Sequence, residues 1–387
     1  MSHKSKQSPK KLLLLIRSLH IGGAERQVVS LAKSMSELGT EVQVAVKVSG
    51  GPLEQDLKSL PNVKLHYLGS PGLLGRFKYF FRLRALIKSN QFDAVYGFMP
   101  VPNLALLVAR TLRKRPLIAW GVRSSDVDHS QYGGLVKWTM RLEKWFSRFA
   151  DRIITNSIAA LEEYRLNDYP YSKLSHIPNA IDVERFSPDP DARTTIENEL
   201  NLPAGVPLIG VFARIHPMKD HLTFLRAAKL LLNEHPNARF ICAGDVSTGY
   251  TAYNERVRAN ATDMWLDEKV LWLGPRTDPQ TLMAACDITT LTSDSGEGFP
   301  NSVAESMACG TPCVAVDVGD AAAIIKGSGT GHIVPRKDSE AIAGAWDAQL
   351  KQLVTERETI AEKARQWIID RYSPGRIAEE SLELLSR

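Results

Sequence analysis

The stretch KLLLLIRSLHIGGAERQVVSLAKSMSELGTEVQVAVKV, residues 11–48, decides the fold. Its first part, 11–17, is an apolar run of strand length that breaks at Arg17. Residues 22–38 then read as a helix ended by Gly39, the residue type that most readily closes one. Residues 41–48 are a second strand, rich in valine. Strand, helix and strand in this order form the unit of a parallel sheet, and runs apolar on both faces require helices over both.

Working outward, residues 92–96, 117–122 and 152–156 repeat the strand pattern, with an apolar helix at 103–112. A short strand at 175–178 leads into the turn-rich Pro178-Asn179-Ala180-Ile181-Asp182. The polar, proline-rich Ser187-Pro188-Asp189-Pro190-Asp191 reads as a linker. The pattern then restarts, with strands at 208–212, 238–243, 270–273, 287–292, 312–316 and 332–334 and helices at 221–232, 280–285 and from 339 onward. The expected organisation is a first domain over 1–185, a linker over 186–200 and a second domain over 201–372. Residues 373–387 form a helix that could pack back on the first domain. The fold class is α/β: two doubly wound, Rossmann-like domains facing across a cleft, which takes ligands at the carboxyl ends of the strands.

Composition agrees with this reading. At 387 residues, 44% hydrophobic and 24% charged, the chain suits a two-domain globular protein. The apolar run after Lys11 is too short for a signal peptide, and no stretch is long and apolar enough to predict a membrane-spanning helix. The net charge of +5 conceals an asymmetry: residues 1–152 carry 25 Lys and Arg against 10 Asp and Glu, the remainder 23 against 33. Basic and aromatic residues interleave at 73–84 and 137–152. Such segments suit an anionic membrane surface; ordinary surface helices with their apolar residues on the core are the alternative, and nucleic acid is not an expected partner. Cys242, Cys286, Cys309 and Cys313 lack metal-ligand spacing and read as buried free thiols in a reducing compartment. The expected location is cytoplasmic, with peripheral attachment to the inner face of the membrane as the candidate setting.

The chemistry concentrates in Ser295-Gly296-Glu297-Gly298-Phe299-Pro300-Asn301-Ser302-Val303-Ala304-Glu305-Ser306-Met307-Ala308-Cys309-Gly310-Thr311-Pro312. After Pro300 these residues read as a short helix, capped by Asn301 or Ser302 and stopped by Gly310 and Pro312. Glu297 then lies on the entering loop and Glu305 about one turn inside. A helix N-terminus favours a phosphate, whereas carboxylates beside it are suited to neutral hydroxyls. Together they suit a sugar nucleotide, although a surface loop with incidental glutamates has the same spacing. Arg214 and Lys219, following the 208–212 strand, supply two cations for a diphosphate leaving group. Gly22 and Gly23 stand at a strand-to-helix turn where backbone can approach a ligand closely, without the spacing of a dinucleotide fingerprint. Residues Gly274-Pro275-Arg276-Thr277-Asp278 follow another strand and could border the nucleotide base.

With these residues in view, the chain resembles the retaining glycosyltransferases of family four, of the GT-B architecture. The resemblance rests on Gly22-Gly23-Ala24-Glu25, Ile177-Pro178-Asn179 with Asp182 and Phe186, Arg214 with Lys219, Gly274 to Asp278, the Glu297 and Glu305 pair, and Gly310-Thr311-Pro312-Cys313-Val314. It implies that Glu305 holds the ribose hydroxyls and Glu297 those of the transferred sugar. Gly298, Phe299, Pro300 and Asn301 would line the sugar, with Arg214 and Lys219 on the diphosphate. It implies no metal, no cofactor and retention of configuration. Many members carry a histidine after the strand corresponding to 117–122; here Arg123 stands in that place and His129 comes six positions later. Arg123 and Asp126 are therefore the candidates for a catalytic role on the acceptor side. Ala180 replaces a glycine common in the family, a matter of turn geometry.

The sequence Asp126-Val127-Asp128 also matches the metal-binding Asp-x-Asp of the other main transferase architecture, but so does Asp189-Pro190-Asp191 in the expected linker. A sugar-nucleotide epimerase or hydrolase, or a non-catalytic sugar- or membrane-binding scaffold, are further alternatives. The expected activity is transfer of a hexose or N-acetylhexosamine from a nucleoside-diphosphate sugar to a lipid-linked saccharide or surface polysaccharide.

Overall fold

A computed structural model describes residues 9–69, 73–123 and 134–386. The chain divides into two compact units, residues 1–180 with 372–387 and residues 181–371. The first holds β1 (Lys11–Ile16), β2 (Glu41–Val46), β3 (Val63–Tyr67), β4 (Ala94–Phe98), β5 (Leu117–Val122), β6 (Arg152–Thr155) and β7 (Leu174–His176). They form one parallel sheet in the order β3-β2-β1-β4-β5-β6-β7. Side chains alternate across a strand. Accordingly Leu12, Leu14 and Ile16 enter one core with Val28, Leu31 and Met35 of helix Gly23–Glu37, while Leu13 and Leu15 enter the other with Leu83 and Ile118. That helix stops as its sequence dictates: Gly39 takes φ +88° and donates to Ser36 O, while Thr40 N donates to Met35 O.

The last helix, Pro374–Leu384, lies in the first unit against helix Gly23–Glu37, burying Ile377, Ala378 and Leu382. Its contribution is large for so short a segment. Ile377→Ala is expected to lower stability by about 2–5 kcal/mol, seen as a fall in the urea midpoint. An unchanged midpoint would show that the segment is not an integral part of that core.

The second unit holds β8 (Leu208–Phe212), β9 (Arg239–Ala243), β10 (Val270–Gly274), β11 (Ile288–Leu291), β12 (Cys313–Val316) and β13 (His332–Val334), parallel in the order β10-β9-β8-β11-β12-β13. Trp346, fully buried, packs its ring against Phe224 and Phe240 and donates from Nε1 to Thr290 Oγ1 (2.9 Å). Both units are thus doubly wound parallel sheets covered by helices.

One sequence expectation needs correction here. The expected linker 186–200 contains helix Ala192–Glu199, whose Ala192 and Ile196 are buried with Leu208, Ile241 and Leu282. Arg193 fastens it further, bonding Glu197, Asp287 and the carbonyls of Ala285 and Val206. The prolines and charges that suggest a linker lie on and before the solvent face of an integral helix. The four cysteines are free and buried, and burial pushes the Cys309 and Cys313 thiols up to about 12. Among the described residues no helix is long and apolar enough to cross a membrane.

Candidate functional site

In an open parallel sheet, strand order reverses at one point, and the loops leaving the carboxyl ends of the two strands there diverge to leave a crevice. In the second unit that point lies between β8 and β11, which pair directly. Lys219 follows β8 and Glu297 follows β11, and the two side chains form an ion pair. Ser293 Oγ donates to the same carboxylate oxygen of Glu297 (2.7 Å). Both ends of the pair are largely buried, with 17% and 11% of the side chains exposed.

The loops are fastened to one another through the backbone carbonyls of Met218 and Lys219. Thr292 Oγ1 donates to Lys219 O (2.8 Å) and Asp294 N to Met218 O (2.8 Å). Gly296 has φ +73°, and a Cβ there would fall 1.8 Å from Met218 Cε. A third loop, after β12, closes on the same segment: Asp320 N donates to Gly298 O (2.9 Å), and Gly319, at φ +52°, leaves no room for a Cβ beside that carbonyl. Residues Glu297 to Pro300 are therefore buried and held from three sides.

Helix Asn301–Ala308 follows, with Glu305 half-buried on its second turn. Pro300 occupies the N-cap position and no side chain caps the helix, so the expected cap by Asn301 or Ser302 is not made. The stop is as expected: Gly310, at φ +81°, donates to Met307 O (3.0 Å). Ser306 anchors the helix, accepting from Thr289 Oγ1 and donating to Thr311 O.

Arg214 behaves differently from Lys219: its side chain is exposed. Its backbone is placed by Ile215 N donating to Asp245 O (2.8 Å) and by Gly244, whose missing Cβ would clash with Ala213 O. His216 accepts from Met218 N and packs on Tyr250, the ring centroids 4.1 Å apart; burial, then the charges of Arg214 and Lys219, hold its pKa down. Arg276, expected at the donor, is engaged within its own unit. It is gripped by Asp278 (2.8 and 2.8 Å) and by Glu199 (2.5 and 3.1 Å), so its guanidinium ties this loop to helix Ala192–Glu199.

In the first unit the strand order reverses between β1 and β4, and Gly22 and Gly23 close the loop that leaves β1. Gly22 is extended and its carbonyl accepts from Arg26 N (3.1 Å), opening helix Gly23–Glu37. Arg123, just beyond β5, donates to Asn179 Oδ1 (2.7 Å) and Tyr96 OH (3.1 Å) and lies 4.8 Å over the Phe98 ring. Asp126 lies outside the described residues. Behind this end of the sheet, Asn103 Nδ2 donates to Gly121 O (3.1 Å) and Glu143 Oε1 (2.8 Å). Burial raises the Glu143 carboxyl to about 7. Beside it Met99 has φ +78°, uncommon for a residue with a side chain, and donates from its N–H to Gly121 O (3.1 Å).

Ser293, Gly319 and Glu143 carry no motif of their own. Ser293 lies two residues past a strand and Gly319-Asp320 precedes a helix; those positions are the signal the sequence offers for them.

The chain thus holds two doubly wound units, the second with a cation and a carboxylate meeting at its switch point. The chain belongs to the glycosyltransferases of family 4: that family's model matches residues 21–185, and the model of glycosyl transferases group 1 matches residues 192–367. It is 25% identical over 286 residues to the UDP-Gal:alpha-D-GlcNAc-diphosphoundecaprenol alpha-1,3-galactosyltransferase of Escherichia coli, covering 70% of each chain. It is 24% identical to a D-inositol 3-phosphate glycosyltransferase of Thermobispora bispora, covering 88% of this chain and 83% of that one. The fold matches the crystal structure of Anabaena Alr3699/HepE in complex with UDP and glucose, with a TM-score of 0.81 at 22% identity over 96% of this chain and 98% of that one.

Proposed function

We propose that the chain transfers a hexose or N-acetylhexosamine from a nucleoside-diphosphate sugar to a lipid-linked saccharide or surface polysaccharide, with retention of configuration and without a metal. The observation that carries this reading is the Lys219–Glu297 pair between the carboxyl ends of β8 and β11. As the bond from the sugar to the diphosphate breaks, negative charge grows on the leaving group. The Lys219 ammonium stabilises that charge more in the transition state than before it, and Arg214, exposed on the same loop, is the second available cation. Glu297, oriented by Ser293, accepts from hydroxyls of the transferred sugar, along the backbone of Gly298 to Asn301. The leaving phosphate takes the proton of the acceptor hydroxyl on the face from which it departs, so the new bond forms on that face. In the first unit, Gly22 and Gly23 let backbone approach the donor, and Arg123 offers a fixed positive charge towards the acceptor.

The names of two relatives support the substrate classes: the Escherichia coli enzyme is named for a UDP-sugar and a lipid diphosphate, and the Anabaena protein is also seen with UDP-glucose. The proposed setting is the cytoplasmic face of an anionic membrane, where lipid-linked acceptors lie.

Incubation with UDP-, GDP- and ADP-sugars and lipid-linked acceptors, followed by released nucleotide, tests the reading. Release with one donor class that depends on acceptor is expected; no release with any pair, from folded protein that binds sugar nucleotides, would contradict it. Glu305→Ala is expected to weaken donor binding roughly tenfold to a hundredfold, because two ribose hydroxyls lose a charged acceptor. Calorimetric titration with the nucleotide diphosphate measures this, and unchanged affinity would remove Glu305 from the ribose.

A further inference from the structure

A seven-residue repeat runs along helix Gly134–Phe146 and the turn Ser147–Phe149 that follows: Trp138-x-x-Arg141, then Trp145-x-x-Arg148. Seven residues make nearly two helical turns, so the members of the repeat share a stripe. Both indoles are exposed, 61% and 57%. An arginine rests on each: Arg141 lies 6.0 Å from the Trp138 ring centroid and Arg148 4.2 Å from that of Trp145. Arg148 also stands 5.2 Å over Phe149, and Arg110 covers the same ring at 5.6 Å. The ladder then reaches helix Leu73–Asn90, whose Arg84 donates to Thr111 Oγ1 (2.9 Å) and which exposes Phe81.

Among the described residues the charge of this face is predominantly positive: Arg141, Lys144 and Arg148 against Asp168. Glu143 of the same helix is buried on the opposite side. Among the described residues Asp168 is the one carboxylate lining the 510 Å³ hollow beside Trp145, and Lys144 pairs with it. Two exposed indoles on one stripe are a large apolar surface for a monomer to leave in water. Arginine on tryptophan is a combination that tolerates an apolar layer and an anionic layer at once.

We propose that this ladder is the surface by which the protein settles on an anionic lipid bilayer, the indoles entering the interface and the guanidiniums meeting lipid phosphates. Charge complementarity selects that occupant: a second copy would bring cation against cation, whereas a bilayer rich in acidic lipids presents the opposite sign over a wide area. The purpose of the contact rests on the reading of a lipid-linked acceptor, but binding itself is measurable without any transfer.

The test is co-sedimentation of the full chain with vesicles of phosphatidylcholine, alone or mixed with phosphatidylglycerol. Binding to the mixed vesicles only, fading at high salt, is expected. Replacing Arg141 and Arg148 together with serine should lower partition roughly thirtyfold, and Trp138→Ser with Trp145→Ser at least about tenfold. Both variants should keep the wild-type unfolding midpoint and turnover with a water-soluble acceptor analogue. Absence of binding to anionic vesicles, or binding that both variants retain, overturns the proposal. So does a concentration-dependent dimer that the same variants dissociate, since a second copy would then cover the ladder. Vesicle binding by a protein that turns over no donor would leave the surface standing and remove the transferase reading.

Discussion

Lys219→Ala is expected to reduce turnover by about two to three orders of magnitude, the scale on which removal of a preorganised charge from a developing anion is felt. The ground-state loss should be smaller, because the charge on the leaving phosphate grows as its bond to the sugar breaks. The substitution has a second consequence that must be separated from the first. Glu297 would keep a largely buried carboxylate without its cation, and breaking one side of a buried pair destabilises a fold by about 3 kcal/mol. The double variant Lys219→Ala with Glu297→Gln removes the orphaned charge. It should recover most of the lost stability in urea unfolding while turnover stays low. If Lys219→Ala keeps wild-type kcat, Lys219 is only a structural partner of Glu297 and the diphosphate is held elsewhere.

The second large effect concerns pH and the first unit. Burial raises the Glu143 carboxyl from 4.5 to about 7, while the Asn103 amide pulls it partly back. The folded protein therefore holds a proton that the unfolded chain has already lost between those values. The stabilisation is fully present below about 4.5, declines as pH rises, and is gone above about 7. Its size is about 3 kcal/mol, from a shift of that extent. Glu143→Gln, which cannot ionise, should match the wild type at about pH 4 and exceed it at about pH 8 by up to about 3 kcal/mol in urea unfolding. Equal profiles for the two proteins would refute the burial argument. Asn103 connects this titration to Gly121, two residues before Arg123.

Much of this architecture is legible in sequence because parallel strands buried on both faces leave continuous apolar runs. Residues 11–16 and 117–122 are of that kind, and so are Leu208–Phe212 and Cys313–Val316 in the second unit. β3 is not legible. As the edge strand it alternates Val63, Lys64, Leu65 and His66 and is only partly buried, so no apolar run announces it. Helix Ala192–Glu199 is hidden for a related reason: two buried positions, Ala192 and Ile196, are all that distinguish it from a linker. The helix expected over 103–112 is two pieces, Pro100–Ala105 and the tighter turn Leu106–Thr111.

At the candidate site, charge and strand-end position were enough to single out Lys219 and Glu297. Arg276 has the same credentials, and its neutralisation by Glu199 depends on a partner 77 residues away that no local pattern reveals. Ser293 and Gly319 act by fixing an oxygen and by leaving out a side chain. Such roles exist only once three loops meet.

The central claim is that the switch point of the second unit supports transfer rather than hydrolysis or isomerisation of a sugar nucleotide. A single reaction with labelled donor and lipid-linked acceptor, quantifying released nucleotide and glycosylated lipid together and reading the anomeric proton of the product by NMR, tests it most directly. The predicted result is one glycosidic bond formed for each nucleotide released, with the configuration of the donor. Free sugar in place of glycoside, an epimerised sugar nucleotide, or an inverted linkage would contradict it.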